Sequence, residues 1–211
     1  MTTIDRLTGA GGVALAVGTA IGIGTGIAKE FVDHTVVSPA LTAVTSCSLA
    51  SLLLLVMGLP AWYAVQAHRA GKLGAVSFVM MFVGLAGLEL GTEAMYGYVA
   101  PALYARPGNA DLAEESALDM ISTGFAAYGL TTMVLEMLGL LLFGIAIIRA
   151  KVFPRWVGWA VALSPIAIFV VPFEAVSIGL LLCAIGYCGV LMARGSVRLP
   201  QPRTSHPELV G

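Results

Sequence analysis

Six apolar stretches of membrane-crossing length occupy nearly the whole chain, at about 9–28, 41–67, 74–99, 120–149, 156–173 and 174–193. A helix needs roughly 20 apolar residues, each rising about 1.5 Å, to cross a hydrocarbon layer. No water satisfies peptide groups inside that layer, so a segment standing alone must pair them internally, as a helix does. The sequence therefore predicts an all-α fold, a polytopic transmembrane bundle of six helices forming one domain over 1–193. The remainder, 194–211, reads as a disordered cytoplasmic tail, because "LPQPRTSHPELVG" has three prolines and no apolar periodicity. Pro60 and Pro165 fall inside segments, where each removes a backbone hydrogen bond and implies a kink.

Charge supports this class and excludes others. Only 11% of residues are charged, against about 25% in a soluble domain. The net charge of −1 and the lack of a concentrated basic face exclude nucleic acid as a partner. What charge there is sorts by loop. An N-terminus on the cytoplasmic side puts Arg6, Arg69, Lys72, Arg149, Lys151, Arg155, Arg194, Arg198 and Arg203 on that side, leaving Lys29 and Arg106 opposite. Basic loops stay inside, so both termini are expected in the cytoplasm of a multi-pass protein of the inner or plasma membrane. Trp62, Tyr63, Trp156 and Trp159 agree, each lying near the cytoplasmic end of its segment. The first segment is read as a retained helix and not a cleaved signal, being longer than a usual signal core.

Gly18, Gly22 and Gly26 form two overlapping GxxxG spacings, a flat stripe on which another helix can pack closely. Cys47, Cys183 and Cys188 lie in apolar segments and contain no CxxC, so they read as small buried hydrophobes. His34, His68 and His206 are spread over both membrane faces. No metal and no cofactor is expected. The partners expected are the lipid bilayer, a small or lipidic substrate, and other subunits in a homo- or hetero-oligomer.

The phrase "LLLFGIAIIRAKVFPRWVGW", residues 140 to 159, resembles one that recurs in small actinobacterial multi-pass membrane proteins of uncharacterised function, the DUF4386-like group. An apolar helix, an R-A pair and a basic turn with P-R-W precede the next helix. The resemblance implies a six-helix inner-membrane protein and carries no catalytic residue with it.

The acids are the informative residues. Of twelve, Glu89, Glu93 and Glu136 lie within spanning segments, and Glu174 at the outer turn of the last hairpin reads as solvated. Insertion of a central acid costs roughly 2.5–3.5 kcal/mol, while each Leu, Ile, Phe or Val returns about 0.3–0.6 kcal/mol. The third segment must therefore turn its acids inward. Glu89, Glu93 and Tyr96 share one helical face by i, i+4, i+7 spacing, and Tyr128, Thr132 and Glu136 make a matching stripe on the fourth helix. The two stripes are expected to face each other across a partly hydrated cavity open to the outer side. Glu89, Glu93 and Glu136 are its proton or substrate groups, and Tyr96, Tyr128 and Thr132 its neutral lining. The only cation in reach is Lys29, at the outer end of the first helix.

Intramembrane ionisable groups mark functional sites. Three readings follow from them. Protonatable carboxyls would couple proton movement to a small solute in a carrier. A protonated Glu would serve as general acid on a lipidic or isoprenoid substrate in a membrane-embedded enzyme. In a non-catalytic subunit, the acids would meet a partner's basic residue. A carrier needs a route to both faces, an enzyme a cavity closed on one side, and a subunit an acid on the outer surface of the bundle.

Overall fold

The computed structural model describes residues 3–33, 36–106, 123–170 and 174–197. They are helical almost throughout: α1 (Thr3–Lys29), α2 (Pro39–Ala94), a π-helical turn (Met95–Val99), α3 (Ala100–Tyr104), α4 (Thr123–Ala150), α5 (Arg155–Val170) and α6 (Glu174–Ala193). Among the described residues, three stretches are long and apolar enough to cross a membrane: Asp5–Lys29, Pro39–Tyr104 and Ala126–Ala150. Val13, Met57, Val79, Leu130, Trp159 and Leu180, drawn from all five long helices, are exposed. An apolar outer surface of this kind suits lipid and not water.

Among the described residues the long helices number five and not the six expected, α3 being a single short turn. Where the sequence suggested separate segments at 41–67 and 74–99, one helical element runs over 56 residues. Its start is locally encoded, since Ser38 caps it through its Oγ, which accepts from the Leu41 N–H at 3.1 Å, and Pro39 takes the first turn. The element folds back on itself at Gly71, whose φ of 61° and ψ of −157° lie in a region open essentially to glycine alone. Tyr63 and Phe78 then stack with centroids 4.7 Å apart, and Ser46 and Tyr98 share a 2.6 Å hydrogen bond. In a straight helix those last two residues would be about 78 Å apart. Two arms, 39–70 and 72–94, thus lie antiparallel, joined without a loop.

Other boundaries moved modestly. The first helix starts at Thr3, six residues before the apolar run, and the second arm's ordinary helix gives way to the π turn at Met95. Residues 120–122, 171–173 and 198–211, within the fourth segment, the fifth segment and the tail, lie outside the described residues, as do His34, Arg198, Arg203 and His206.

Glycine decides who neighbours whom. The first arm of α2 packs on α1, where a Cβ on Gly58 would strike Leu15 and the Gly11 carbonyl. The second arm packs on α4, α4 on α5 through Gly144 and Gly158, and α1 on α6 through Gly12 and Gly189. Contact between α5 and α6 closes the ring. Leu15, Leu59, Trp62, Phe143, Ile147, Val157, Val161 and Cys188 fill its interior, with Trp62 edge-on to Phe143 at 5.2 Å. Of the three cysteines expected to be buried, Cys188 is buried, but Cys47 and Cys183 face outward.

The glycine stripe of α1 divides. Gly18 lies against Ser51 and Leu54, and a Cβ on Gly22 would come within 2.8 Å of Ser51 Oγ, whereas Gly26 has nothing within 4 Å. The packed row runs on toward the N-terminus through Gly11 and Gly12, which the GxxxG pattern did not include.

Candidate functional site

One cavity of about 570 Å³ opens beside Lys29, Glu30 and Val32 at the end of α1 and descends to Leu55. Its walls are the last two turns of α1, the first arm of α2 at Ser48 to Leu55, the acid-bearing turns of the second arm, and α6 at Ile178 to Leu182. Glu89 and Glu93 both line it. Beneath Leu55 the packed cluster of Leu15, Leu59 and Trp62 closes the interior. The pocket is therefore one-sided.

Helical spacing explains how the acids reach it. Positions 89 and 93 are one turn apart on the second arm, so both carboxyls emerge on the face that meets α1 and the first arm. Lys29 Nζ donates to Glu93 Oε2 at 2.5 Å. The pair is enclosed on the acid side, with the Glu93 side chain 14% exposed and that of Lys29 32%. Charge-assisted bonds of this kind are short and directional, so Lys29 ties the end of α1 to the second arm at the pocket mouth. With Glu30 and Glu89 also in the wall, acids outnumber the single lysine there by three to one.

Two hydroxyls not anticipated as site residues, Ser48 and Ser51, line the opposite wall. Ser51 Oγ donates to the Gly18 carbonyl at 2.7 Å. A sequence signal for them existed: Thr45, Ser48 and Ser51 recur every third residue in an otherwise apolar segment, and all three are buried. Thr25 adds a third hydroxyl to the cavity, its Oγ1 donating to the Gly22 carbonyl at 3.1 Å.

The facing-stripes expectation needs correction. Tyr128, Thr132 and Glu136 do face the second arm, but across close packing and not across a cavity. A Cβ on Gly84 would overlap the Glu136 backbone, one on Gly87 would come within 3.0 Å of Thr132 Cγ2 and Tyr128 Oη, and one on Gly139 would overlap Met81. Three glycines have drawn the two helices together and removed the space. Tyr128 Oη donates to the Gly87 carbonyl at 2.9 Å, and Thr132 Oγ1 turns back to the Tyr128 and Gly129 carbonyls of its own helix, each at 3.0 Å. Neither side chain lines the cavity. Tyr96 is 46% exposed and also stands outside it.

Glu136 belongs to the interior without belonging to the pocket wall. Its Oε2 is fully buried and has no hydrogen-bond partner among the described residues. The Glu89 carboxylate is near enough to act on it electrostatically. So the structure brings Glu89 and Glu93 into one pocket, keeps Glu136 outside its lining but within electrostatic reach of Glu89, and leaves the three neutral residues at the helix interface or the surface.

A second buried polar group had gone unremarked in the sequence. Gln66 is completely enclosed, and neither its Oε1 nor its Nε2 has a partner among the described residues. Among those residues there is no cluster of three or more His, Cys, Asp or Glu able to hold a metal ion. Compared with protein-family models, with curated proteins and with solved structures, the chain finds no match in any of the three.

Proposed function

We propose that this is a multi-pass protein of the cell membrane, with six spans counted by dividing α2 at Gly71 and both termini cytoplasmic, that carries a small solute in exchange for a proton at Glu89. The resemblance of residues 140–159 to small actinobacterial membrane proteins belongs to the same proposal. The observation that carries it is the one-sided pocket: an acid, an ion pair and hydroxyls exposed to one end of the bundle, with a packed floor beneath. In a carrier this is the arrangement open to the outside. The three-to-one excess of acids favours a solute bearing a positive group, which would sit against Glu89. Directly after the acids, the helix switches to a π turn at Met95–Val99. Such turns are frequent at functional sites and give the acid-bearing segment a place to rearrange.

The closed floor also favours a second reading, in which Glu89 is the general acid of an enzyme acting on a lipidic substrate. One experiment separates them. Protein reconstituted in vesicles with an internal pH dye is offered a panel of small organic ammonium ions, as wild type and as Glu89→Gln. Solute-dependent proton flux that disappears in the variant supports the carrier. Flux that survives the substitution refutes the role of Glu89, and turnover of an added isoprenoid or lipid without flux replaces the carrier by the enzyme.

A further inference from the structure

At the opposite end of the bundle from the acid pocket, three helix ends converge on a smaller cavity of about 290 Å³, lined by Val65, His68, Arg69, Lys151, Val152, Ser196 and Val197. We propose that this cavity binds a phosphate group, carried by the headgroup of an anionic phospholipid.

The polar lining is basic or neutral, with no carboxylate among the lining residues. No hydrogen bond or ion pair engages the side chain of His68, Arg69 or Lys151 among the described residues. An arginine fork and a lysine point charge are the groups that recognise phosphate oxygens, while the His68 imidazole and the Ser196 hydroxyl add hydrogen-bonding capacity. Val152 and Val197 pack against the core and form an apolar wall beside the charges. That combination of basic head and apolar flank fits a lipid, and basic pockets between spanning helices are known to hold anionic headgroups. The volume stands at the lower bound of small-ligand pockets, about 300 Å³, enough for a headgroup and not for a larger solute.

The backbone that supports these residues is tightly specified. Gly71 turns the chain two residues after Arg69, and α6 ends with Gly195 at a φ of 66° and the Ser196 N–H bonded to the Leu191 carbonyl at 3.0 Å. Lys151, immediately after α4, has a φ of 54°, the one non-glycine residue with positive φ among those described. Glycine is the residue that suits such a helix end. A lysine there accepts backbone strain for the sake of its side chain, a pattern that clusters at ligand sites.

A competing account is that these cations only offset helix dipoles, because all three converging ends are C-termini. The charge count decides against it. Each C-terminus carries about −0.5 charge, some −1.5 in total. Arg69 and Lys151 alone exceed that, Arg149 and Arg194 stand at the same helix ends, and Lys72 and Arg155 open the helical segments that follow. A net positive field remains for an external anion.

The test is binding by purified protein in neutral detergent of short-chain phosphatidylglycerol, short-chain phosphatidylcholine and inorganic phosphate, read by native mass spectrometry and thermal shift. Wild type is expected to bind phosphatidylglycerol at least tenfold more tightly than phosphatidylcholine. Arg69→Gln and Lys151→Gly should each weaken that binding about tenfold, and Lys72→Gln, outside the cavity, should not. Lys151→Gly keeps the backbone conformation and relieves its strain, so loss of binding by a protein that melts no earlier cannot be attributed to misfolding. Inorganic phosphate binding as tightly as the lipid would replace the headgroup by a free phosphate and overturn the lipid assignment. Equal weakening by Lys72→Gln, or no weakening by Arg69→Gln and Lys151→Gly, would overturn the cavity as a site.

Discussion

Gly12 and Gly24 sit on the same helix, and replacing each by alanine should have clearly different effects on stability. A Cβ at Gly12 would lie 2.6 Å from the Ala193 nitrogen, 2.7 Å from the Gly189 carbonyl oxygen and 2.8 Å from Met192 Cβ, whereas Gly24 has nothing within 4 Å. Two of those three obstacles are backbone, so relief requires α1 and α6 to separate by several tenths of an ångström along a line where a Cβ on Gly189 would likewise strike the Ala16 nitrogen. Overpacking of this kind costs about 1–3 kcal/mol. Both substitutions gain the same helix propensity, about 0.8–1 kcal/mol, and that gain cancels in their difference. Gly24→Ala is expected to be stabilising by most of this amount. Gly12→Ala should fall about 1–3 kcal/mol below it, which makes it neutral to clearly destabilising. Unfolding in mixed micelles by increasing SDS, followed by far-ultraviolet circular dichroism, gives both values under one condition. If the two variants shift together in sign and size, the α1–α6 contact is not glycine-limited and the order of helices around the ring is wrong.

Three further outcomes follow from particular contacts. Gly71→Ala should cost about 1–3 kcal/mol although nothing lies within 4 Å of the added methyl, because φ 61°, ψ −157° is closed to other residues; an unchanged midpoint in the same titration would show that the arms are joined by some other backbone geometry. Lys29→Met should destabilise by roughly 1–3 kcal/mol by leaving the enclosed Glu93 carboxylate without its cation, and Lys29→Met with Glu93→Gln should recover most of the loss; additive losses in this cycle would mean the pair is not formed. Gln66→Met, which keeps the volume and removes a buried amide lacking partners, should stabilise by about 1–3 kcal/mol; a lower midpoint would show that the amide is hydrogen-bonded in the protein.

Helices were legible because apolar length dictates them, and so was the inward turn of Glu89 and Glu93, because an acid that faced lipid would cancel most of its segment's insertion energy. What length could not reveal was the joint at Gly71. Between 67 and 74 the sequence "AHRAGKLG" has polar residues enough for a loop, but no proline, and of its two glycines only Gly71 leaves the helical conformation, the chain resuming its helix directly after it. The reason is conformational: one residue in a glycine-only region reverses direction without unpairing a run of peptide groups. Lys29 was within the sequence's reach as a partner for Glu93, because both stand at the same end of their helices.

The misplacement of the cavity has a more general physical cause. Spacing assigns residues to a face of a helix, and it located the Tyr128, Thr132 and Glu136 face correctly toward the second arm. It carries no information on how far apart two such faces stand. That distance is set by the smallest side chains between them, and here they are Gly84, Gly87 and Gly139. With glycine at all three positions the helices close until backbone meets side chain, and a polar stripe that might have lined water becomes a dry seam closed by the Tyr128 hydroxyl on the Gly87 carbonyl. Space survives between α1 and the arms of α2, where Gly26 has nothing within 4 Å and Glu89 lines the cavity together with Ser48 and Ser51. Glycine thus does opposite things in one bundle, since at Gly84, Gly87 and Gly139 it lets helices touch, while Gly26, with nothing within 4 Å, borders open volume. Glu136, caught on the seam's inner edge with one oxygen enclosed and Glu89 beside it, is the point where the dry interface and the pocket meet. Enlarging Gly26 therefore tests the pocket without touching the seam. Gly26→Leu should block ligand access while leaving the SDS midpoint within about 0.5 kcal/mol of wild type, as surface-like substitutions do. A large loss of stability instead would mean that Gly26 is packed and that the volume beside Glu89 does not exist.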